Sequence, residues 1–225
     1  MMIAYHFCFD LTYFGWARWN MLEESGWIAW RSTIVASFLF IVGISLSLRD
    51  ASPTGAPAFW RRWAQIAAAA LLVTIGSYAM FPRSFIYFGV LHFVALALIV
   101  ARPAPRLGAW AALPGAAALA LGIVIHSEAF DPRVVNWIGF AAHKPFTEDY
   151  APLFPWIGVV LLGCAFGALW RKRGYATPAP LHAVVGALPQ PLFAGLALLG
   201  RWSLTAYLIH QPILIGAMAA AKRLG

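Results

Sequence analysis

A histidine and an aspartate four residues apart, His6 and Asp10, are the first residues of this 225-residue chain whose spacing could do chemistry. At that spacing both side chains lie on one face of a helix. A carboxylate can then accept a hydrogen bond from one imidazole nitrogen and leave the other to act as a base. Two further histidines, His92 and His210, fall near the middle of later apolar runs. We expect the three imidazoles to lie at one depth, around a common chamber.

The composition indicates that these residues lie in a membrane. Hydrophobic residues make up 62% of the chain and charged residues 11%, with a mean hydropathy of +0.75, whereas an ordinary soluble domain has about 25% charged residues. This excludes a soluble globular protein and a disordered one. The net charge of +8 arises mostly in short connections between apolar runs, which favours the positive-inside pattern over nucleic-acid binding.

The apolar runs predict an all-α fold: a polytopic integral membrane helix bundle of about seven transmembrane helices in a single domain, 1–225. The predicted helices cover 1–15, 27–48, 63–81, 84–101, 107–126, 153–170 and 202–221. Fifteen residues of helix reach only about 22 Å, so the first is expected to be the tail of a longer helix. The short apolar stretch 192–200 is predicted to be interfacial or re-entrant, and 177–191, with four prolines, a linker.

Basic residues in alternate connections predict which side is cytoplasmic. The basic residues assigned to that side are Arg49, Arg61, Arg62, Arg102, Arg106, Arg171, Lys172, Arg173 and Arg201. The opposite side receives the long loop 127–151, which is predicted to be a functional lid. Arg31 enters the second predicted span and is expected either to reach the surface or to bind an anion or a carboxylate.

Several sequence motifs are missing from the chain, and their absence narrows the function. The sequence contains no Walker A motif, dinucleotide fingerprint, G-x-S-x-G elbow or His-Cys metal cluster. This disfavours ATP-driven transport, soluble-type hydrolysis and a metal site. Gly163 and Gly167 form a G-x-x-x-G step that predicts close helix packing.

Short segments spread over most of the chain resemble the bacterial heparan-alpha-glucosaminide N-acetyltransferase catalytic-domain-like family. These segments are YHFCFDL (5–11), RST (31–33), FLFIVGISL (38–46), FGVLH (88–92), PWIG (155–158), GRWSL (200–204) and YLIHQP (207–212). The Leu-Arg-Gly segment that usually opens the family is absent, which leads us to expect a shortened N-terminus. The catalytic histidine of the characterised eukaryotic members lies after the first span, where this chain has none.

The resemblance implies an enzyme of the bacterial cytoplasmic membrane that moves an acetyl group from cytoplasmic acetyl-CoA to an amine or hydroxyl of a glycan on the far side. It implies no tightly bound cofactor. Under this hypothesis His6 deprotonates the acceptor, Asp10 orients His6, and His210 or His92 contacts the thioester or its oxyanion. Arg171, Lys172 and Arg173 are candidates for binding the CoA phosphates, and Arg31, Arg201 and Gln211 for contacting substrate.

Two other functions remain open from the residues alone. The polar residues could form a relay in a small-solute or proton-coupled carrier, or they could hold helices together in a non-catalytic scaffold. An enzyme predicts a cavity that reaches the histidines from the cytoplasmic side. A carrier predicts a central site gated on both sides, and a scaffold predicts histidines bonded to backbone carbonyls. Homo-oligomerisation is left open.

Overall fold

The computed structural model describes residues 1–21, 23–50, 55–176, 182–183 and 186–224. Within these ranges the chain is helical, without a β-strand, which confirms the all-α class. The α-helices are α1 (Met2–Tyr13), α2 (Ser25–Asp50), α3 (Gly55–Met80), α4 (Val90–Val100), α5 (Ala112–Val124), α6 (Leu153–Lys172), α7 (Gln190–Arg201) and α8 (Ser203–Leu224). A 3-10 helix, Ala104–Ala111, leads directly into α5. Of the predicted linker 177–191, residues 177–181, 184 and 185 lie outside the described residues.

Among the residues that the structure describes, five helical segments are long and apolar enough to cross a membrane. They are Ser25–Arg49, Pro57–Met80, Ala104–Val124, Leu153–Lys172 and Ser203–Arg223. The predicted number of seven is not confirmed, because α1 and α4 have only 12 and 11 residues and reach about 18 Å at most. Helix α7, which contains the predicted short stretch, also has 12 residues. The chain is thus an integral membrane protein of the predicted helical class.

The start of α4 differs from the prediction for a physical reason. The fourth helix was expected to begin at Ser84, but α4 begins at Val90. The backbone before it is extended and pairs with the long loop instead: Phe88 bridges to Tyr150, and the Ser84 carbonyl accepts a hydrogen bond from the backbone amide of Glu148. A backbone already bonded to a neighbouring segment cannot also form helical i to i−4 bonds.

The chain divides into two compact units, residues 1–34 with 176–225, and residues 35–175. In the first unit α1 packs against α8, and the Lys222 ammonium donates to the carbonyl of Phe14 at 3.2 Å. The Tyr5 ring meets the rings of Trp27 and Trp30 edge-on, with centroids 6.2 and 5.6 Å apart. These contacts place one face of α1 against α8 and leave Tyr5 buried among aromatic side chains.

In the second unit glycines let the helices approach to backbone contact. A Cβ added at Gly163 of α6 would meet the carbonyl oxygen of Phe40 and the Cα of Gly43, both in α2. A Cβ at Gly167 would lie 3.0 Å from the Cβ of Ser47. The close packing predicted for the G-x-x-x-G step is therefore confirmed, and the partner is α2.

The loop between α5 and α6 is ordered and bound to the segment before α4. Asp149 accepts a hydrogen bond from the backbone amide of Val90 at 2.7 Å, which caps the N-terminus of α4. The Thr147 hydroxyl donates to the carbonyl of Phe85, and the Asn136 amide donates to the Tyr87 hydroxyl at 2.7 Å. Whether this loop acts as the predicted lid remains a prediction.

Candidate functional site

Two imidazoles from opposite ends of the chain form a hydrogen-bonded pair in the first unit. His6 Nδ1, on α1, lies 2.6 Å from His210 Nε2, on α8. The two rings are nearly parallel, at 9°, with centroids 4.8 Å apart. The His210 side chain is buried, with 8% of the residue exposed, whereas His6 is half-buried. The His210 imidazole is thus enclosed by protein, whereas the His6 imidazole is still partly accessible from outside the protein.

The backbone of α8 determines where the protons of this pair lie. His210 Nδ1 is 2.7 Å from the carbonyl oxygen of Tyr207 and 3.1 Å from that of Ala206. A carbonyl only accepts hydrogen bonds, so Nδ1 carries the proton and the Nε2 of a neutral His210 accepts. His6 must then donate through its own Nδ1. Its remaining nitrogen, Nε2, keeps a lone pair, which is the requirement for a base or a nucleophile.

Asp10 and Gln211 form a second contact beside the imidazole pair. The Gln211 amide donates to Asp10 Oδ1 at 2.8 Å, and Asp10 is only 2% exposed. Two further buried oxygens, Asp10 Oδ2 and Gln211 Oε1, have no hydrogen-bond partner among the described residues. A buried carboxylate with an unfilled acceptor is costly unless a proton, a donor or a nearby positive charge compensates it.

The expected hydrogen bond between Asp10 and His6 is not formed among the described residues, although both side chains lie on the same face of α1. Each instead meets a neighbouring residue of α8: His6 meets His210, and Asp10 meets Gln211. The spacing therefore predicts the shared face, whereas the partners come from a helix 200 residues further along the chain. Any influence of Asp10 on His6 is through its charge.

His92 belongs to the second unit, and each of its two ring nitrogens forms a hydrogen bond within that unit. The Thr74 hydroxyl donates to the carbonyl of Ile86 at 2.8 Å, so it accepts the hydrogen bond from His92 Nε2 at 2.9 Å. His92 Nδ1 accepts from the backbone amide of Gly89 at 3.3 Å, and His92 thereby caps the first turn of α4. These contacts favour a structural role, and the expectation that His92 contacts a thioester remains a prediction.

The candidate cationic residues differ in how firmly they are held. The Arg171 guanidinium donates to the carbonyl of Ser47, near the C-terminus of α2, at 3.1 Å. Lys172, Arg173 and Arg201 are exposed, and Arg31 is half-buried. The Arg171 contact is favourable because a helix C-terminus carries partial negative charge.

Sequence reasoning missed an ionic contact in the long loop. The His143 ring and backbone both donate to Asp131, at 2.8 and 3.0 Å. The hydrogen bond and charge of Asp131 raise the pKa of His143, and the hydrogen bonds from His143 lower the pKa of Asp131. A separation of 12 residues in an irregular loop contains no periodic signal, so nothing in the sequence could have identified this pair.

Comparisons with known proteins identify the family of the chain. The family described as heparan-alpha-glucosaminide N-acetyltransferase, catalytic, matches residues 1–212. The match includes all four of His6, Asp10, His210 and Gln211. Searches of curated proteins and of solved structures give no significant match. Because the family match spans nearly the whole chain, the protein belongs to the heparan-alpha-glucosaminide N-acetyltransferase catalytic-domain family.

Proposed function

We propose that this membrane protein is an acetyltransferase that moves an acetyl group from acetyl-CoA to an amine or hydroxyl of a glycan. The observation that carries the proposal is the His6 and His210 pair, in which a backbone carbonyl holds the proton of His210 and leaves a lone pair on His6 Nε2. A scaffold could use the same contact as an interhelical hydrogen bond, but it would not need an imidazole nitrogen with a free lone pair. Here only His210 has backbone partners, and among the described residues His6 has the His210 ring as its only hydrogen-bond partner.

In the proposed reaction His6 acts as the general base. The acceptor nitrogen or oxygen attacks the thioester carbonyl while His6 Nε2 takes the acceptor's proton, and a tetrahedral oxyanion forms. The intermediate collapses with cleavage of the carbon-sulfur bond. The proton on His6 then passes to the departing thiolate, which gives CoA as the free thiol and restores the neutral imidazole. The acetylated acceptor is the second product.

His210 and Asp10 would stabilise the positive charge that His6 gains during this step. When His6 is protonated, its Nδ1 hydrogen bond to His210 strengthens because the donor becomes charged. Asp10 lies one helical turn from His6 on α1, and a carboxylate at that distance in a medium of low polarity favours an imidazolium. Asp10 and Gln211 would therefore be residues that position and compensate the charge. We assign the phosphates of the donor to Arg171, Lys172 and Arg173, and contacts with substrate to Arg31 and Arg201.

The experiment measures thioester loss from acetyl-CoA by the purified chain in lipid, with a glucosamine-terminated glycan as acceptor. His6→Ala is expected to lower kcat by about 10²-fold to 10⁴-fold, the usual contribution of a general base. The matched control is His126→Ala, which removes an exposed histidine just after α5, and it should retain the wild-type rate. An unchanged rate in His6→Ala would refute the proposed mechanism.

The carrier hypothesis is tested in the same preparation. If the wild-type chain neither binds nor consumes acetyl-CoA, the protein is not an acetyltransferase under these conditions of assay. Proton or solute flux is then measured in sealed vesicles that contain the protein. If the wild type shows flux and His6→Ala does not, the imidazole pair belongs to a relay. Turnover of acetyl-CoA without such flux supports the transferase.

A further inference from the structure

An uncompensated group of arginines lies at one end of α3 and α4, in the second unit. From residue 51 to residue 127 the sequence contains five arginines and no Asp or Glu. Four of the five lie in two places: Arg61 and Arg62 are near the start of α3, and Arg102 and Arg106 are in the turn after α4 and the 3-10 helix that follows it. Within the described part of the chain none of these four forms an ion pair or a side-chain hydrogen bond.

The structure holds one of these arginines in a fixed position against α3. The Arg102 guanidinium lies over the rings of Phe59 and Trp60, 4.6 and 5.0 Å from their centroids. Stacking of this kind binds the face of a guanidinium and leaves its five N–H donors directed outward at the edge. Arg61 and Arg62 follow Trp60 directly, so their Cα atoms lie within one helical turn of the ring that Arg102 covers.

The turn that carries Arg102 and Arg106 is rigid. Prolines at 103 and 105 restrict its backbone, Ala104 and Pro105 are buried, and the backbone amide of Arg106 donates to the carbonyl of Pro103 at 3.1 Å. On the other side, the Trp63 indole donates to the carbonyl of Ala95 at 2.9 Å and fixes α3 to α4. The arginines are therefore presented by backbone that is already ordered, which reduces the entropy lost on binding.

The side chains around the arginines indicate the chemistry of the ligand. Trp60 is 44% exposed, Leu107 is 50% exposed and Trp110 is 73% exposed. In an integral membrane protein acyl chains cover such surfaces, so phosphates attached to acyl chains are concentrated beside these guanidinium groups, whereas a soluble phosphate is not. A phospholipid presents a phosphate and an acyl chain side by side, and basic pockets near helix ends bind anionic lipid headgroups in this way.

We infer that Arg61, Arg62, Arg102 and Arg106 form a binding site for an anionic phospholipid, with the phosphate on the guanidinium groups and an acyl chain against the exposed ring of Trp60. Arg102 is the central residue, because a guanidinium can bind a phosphate through two parallel hydrogen bonds. The site is in the second unit, and the inference does not depend on the proposed acetyltransferase activity.

The test compares the full-length chain in nanodiscs of pure phosphatidylcholine and in nanodiscs that also contain phosphatidylglycerol. The wild type is expected to have a Tm higher by roughly 2–4 °C with phosphatidylglycerol, a difference that decreases at high salt. The double variant Arg102→Gln with Arg106→Gln should lose this difference. Equal Tm values for the wild type in the two lipids would overturn the inference.

The matched control is Arg133→Gln. Arg133 also lies over two aromatic rings, those of Phe85 and Tyr87 at 5.5 and 5.6 Å, but it follows the acidic residues Glu128 and Asp131 in the long loop. Arg133→Gln should keep the Tm difference between the two lipid compositions. If Arg133→Gln also loses that difference, the assignment of the site to Arg102 and Arg106 is wrong. If the double variant does not fold, Arg106→Gln alone should reduce the difference, and an unchanged difference would count against the site.

A second experiment distinguishes a phospholipid from a soluble phosphate as the ligand of the arginines. Inorganic phosphate and coenzyme A are added to the wild type in phosphatidylcholine nanodiscs, where no shift that depends on Arg102 is expected. If coenzyme A raises the Tm and the double variant abolishes that rise, the arginines bind a soluble phosphate ester and the lipid inference is wrong.

Discussion

At the scale of single residues, the position of the proton on His6 depends on a backbone carbonyl that His6 reaches through two successive hydrogen bonds. The Tyr207 carbonyl requires a proton on His210 Nδ1, and this in turn makes His210 Nε2 the acceptor for His6. No charged partner is needed to hold this arrangement. An imidazole held in this way can gain a proton on Nε2 without moving its ring, which is an advantage for a base in a confined site.

The contact between Gln211 and Asp10 yields a prediction at this scale. Gln211→Ala removes the donor to Asp10 Oδ1 and leaves both oxygens of a buried carboxylate without a partner in the described part of the chain. We expect the free energy of unfolding in lipid to fall by about 1–2 kcal/mol, between the usual value of interhelical hydrogen bonds and that of an unpaired buried group. Thermal unfolding of Gln211→Ala against Thr205→Ala, an exposed position of α8, measures it. Equal stabilities would show that the contact contributes nothing.

The pair in the long loop predicts a dependence on pH. Because the pKa of His143 is raised, its contribution to loop stability is present at lower pH and is lost as the pH rises through that raised pKa. Because the pKa of Asp131 is lowered, the same contact is lost as the pH falls through that value. The contact therefore stabilises the loop most at pH values between the lowered pKa of Asp131 and the raised pKa of His143.

Titration of the His143 ring by NMR measures this effect. The wild-type ring should titrate above the ordinary histidine pKa, and Asp131→Asn should lower the pKa of His143. Glu148→Gln is the control, since Glu148 bonds to Ser84 instead, and it should leave the titration unchanged. A His143 pKa that does not respond to Asp131→Asn would contradict the contact.

At the scale of elements, helix α6 is packed through glycine. Gly43 of α2 faces the backbone of Val160 and Cys164, where an added Cβ would meet the carbonyl oxygen of Val160 and lie 2.9 Å from the amide nitrogen of Cys164. Backbone atoms cannot move aside as a flexible side chain can. The helices would have to separate, and every contact along the seam would weaken.

Gly43→Ala is accordingly expected to lower the free energy of unfolding by about 1–3 kcal/mol, the typical cost of overpacking. Gly76→Ala provides the matched control, because Gly76 is inside α3 and has open space where its Cβ would lie. That substitution should be neutral or should stabilise by up to about 1 kcal/mol through helix propensity. If both variants are equally stable, α2 and α6 do not pack as described.

Some elements of the fold could be predicted from the sequence and others could not. Long apolar runs predicted the spans because lipid exposure leaves a strong compositional signal, and the G-x-x-x-G step predicted a packing face. The extended segment before α4 was missed because its hydrogen bonds go to Tyr150 and Glu148, some 60 residues further along the chain. The His6 and Asp10 spacing predicted a shared face, but the pairing with His210 and Gln211 depends on tertiary contacts between helices about 200 residues apart.

At the scale of the whole molecule, the distribution of basic residues predicts its orientation. The helix ends near Arg61, Arg102 and Arg171 should face the cytoplasm, and the long loop with Asp131 and His143 should face the other side. Single cysteines introduced at exposed Arg173 and at exposed His143, in a chain without Cys8 and Cys164, provide the measurement. A membrane-impermeant thiol reagent added to intact cells should label only the cysteine at 143. Labelling at 173 would contradict the proposed orientation.

The central claim is that His6 and His210 act as one catalytic unit, and a double-mutant cycle on kcat/KM for acetyl-CoA tests it most directly. If His210 acts only through its hydrogen bond to His6, His6→Ala and the double variant His6→Ala with His210→Ala should have the same residual rate, because effects within one unit are not additive. His210→Ala alone should be impaired by a smaller factor. Independent effects, in which the double variant loses the product of the two single factors, would contradict the account, as would wild-type rates in either single variant.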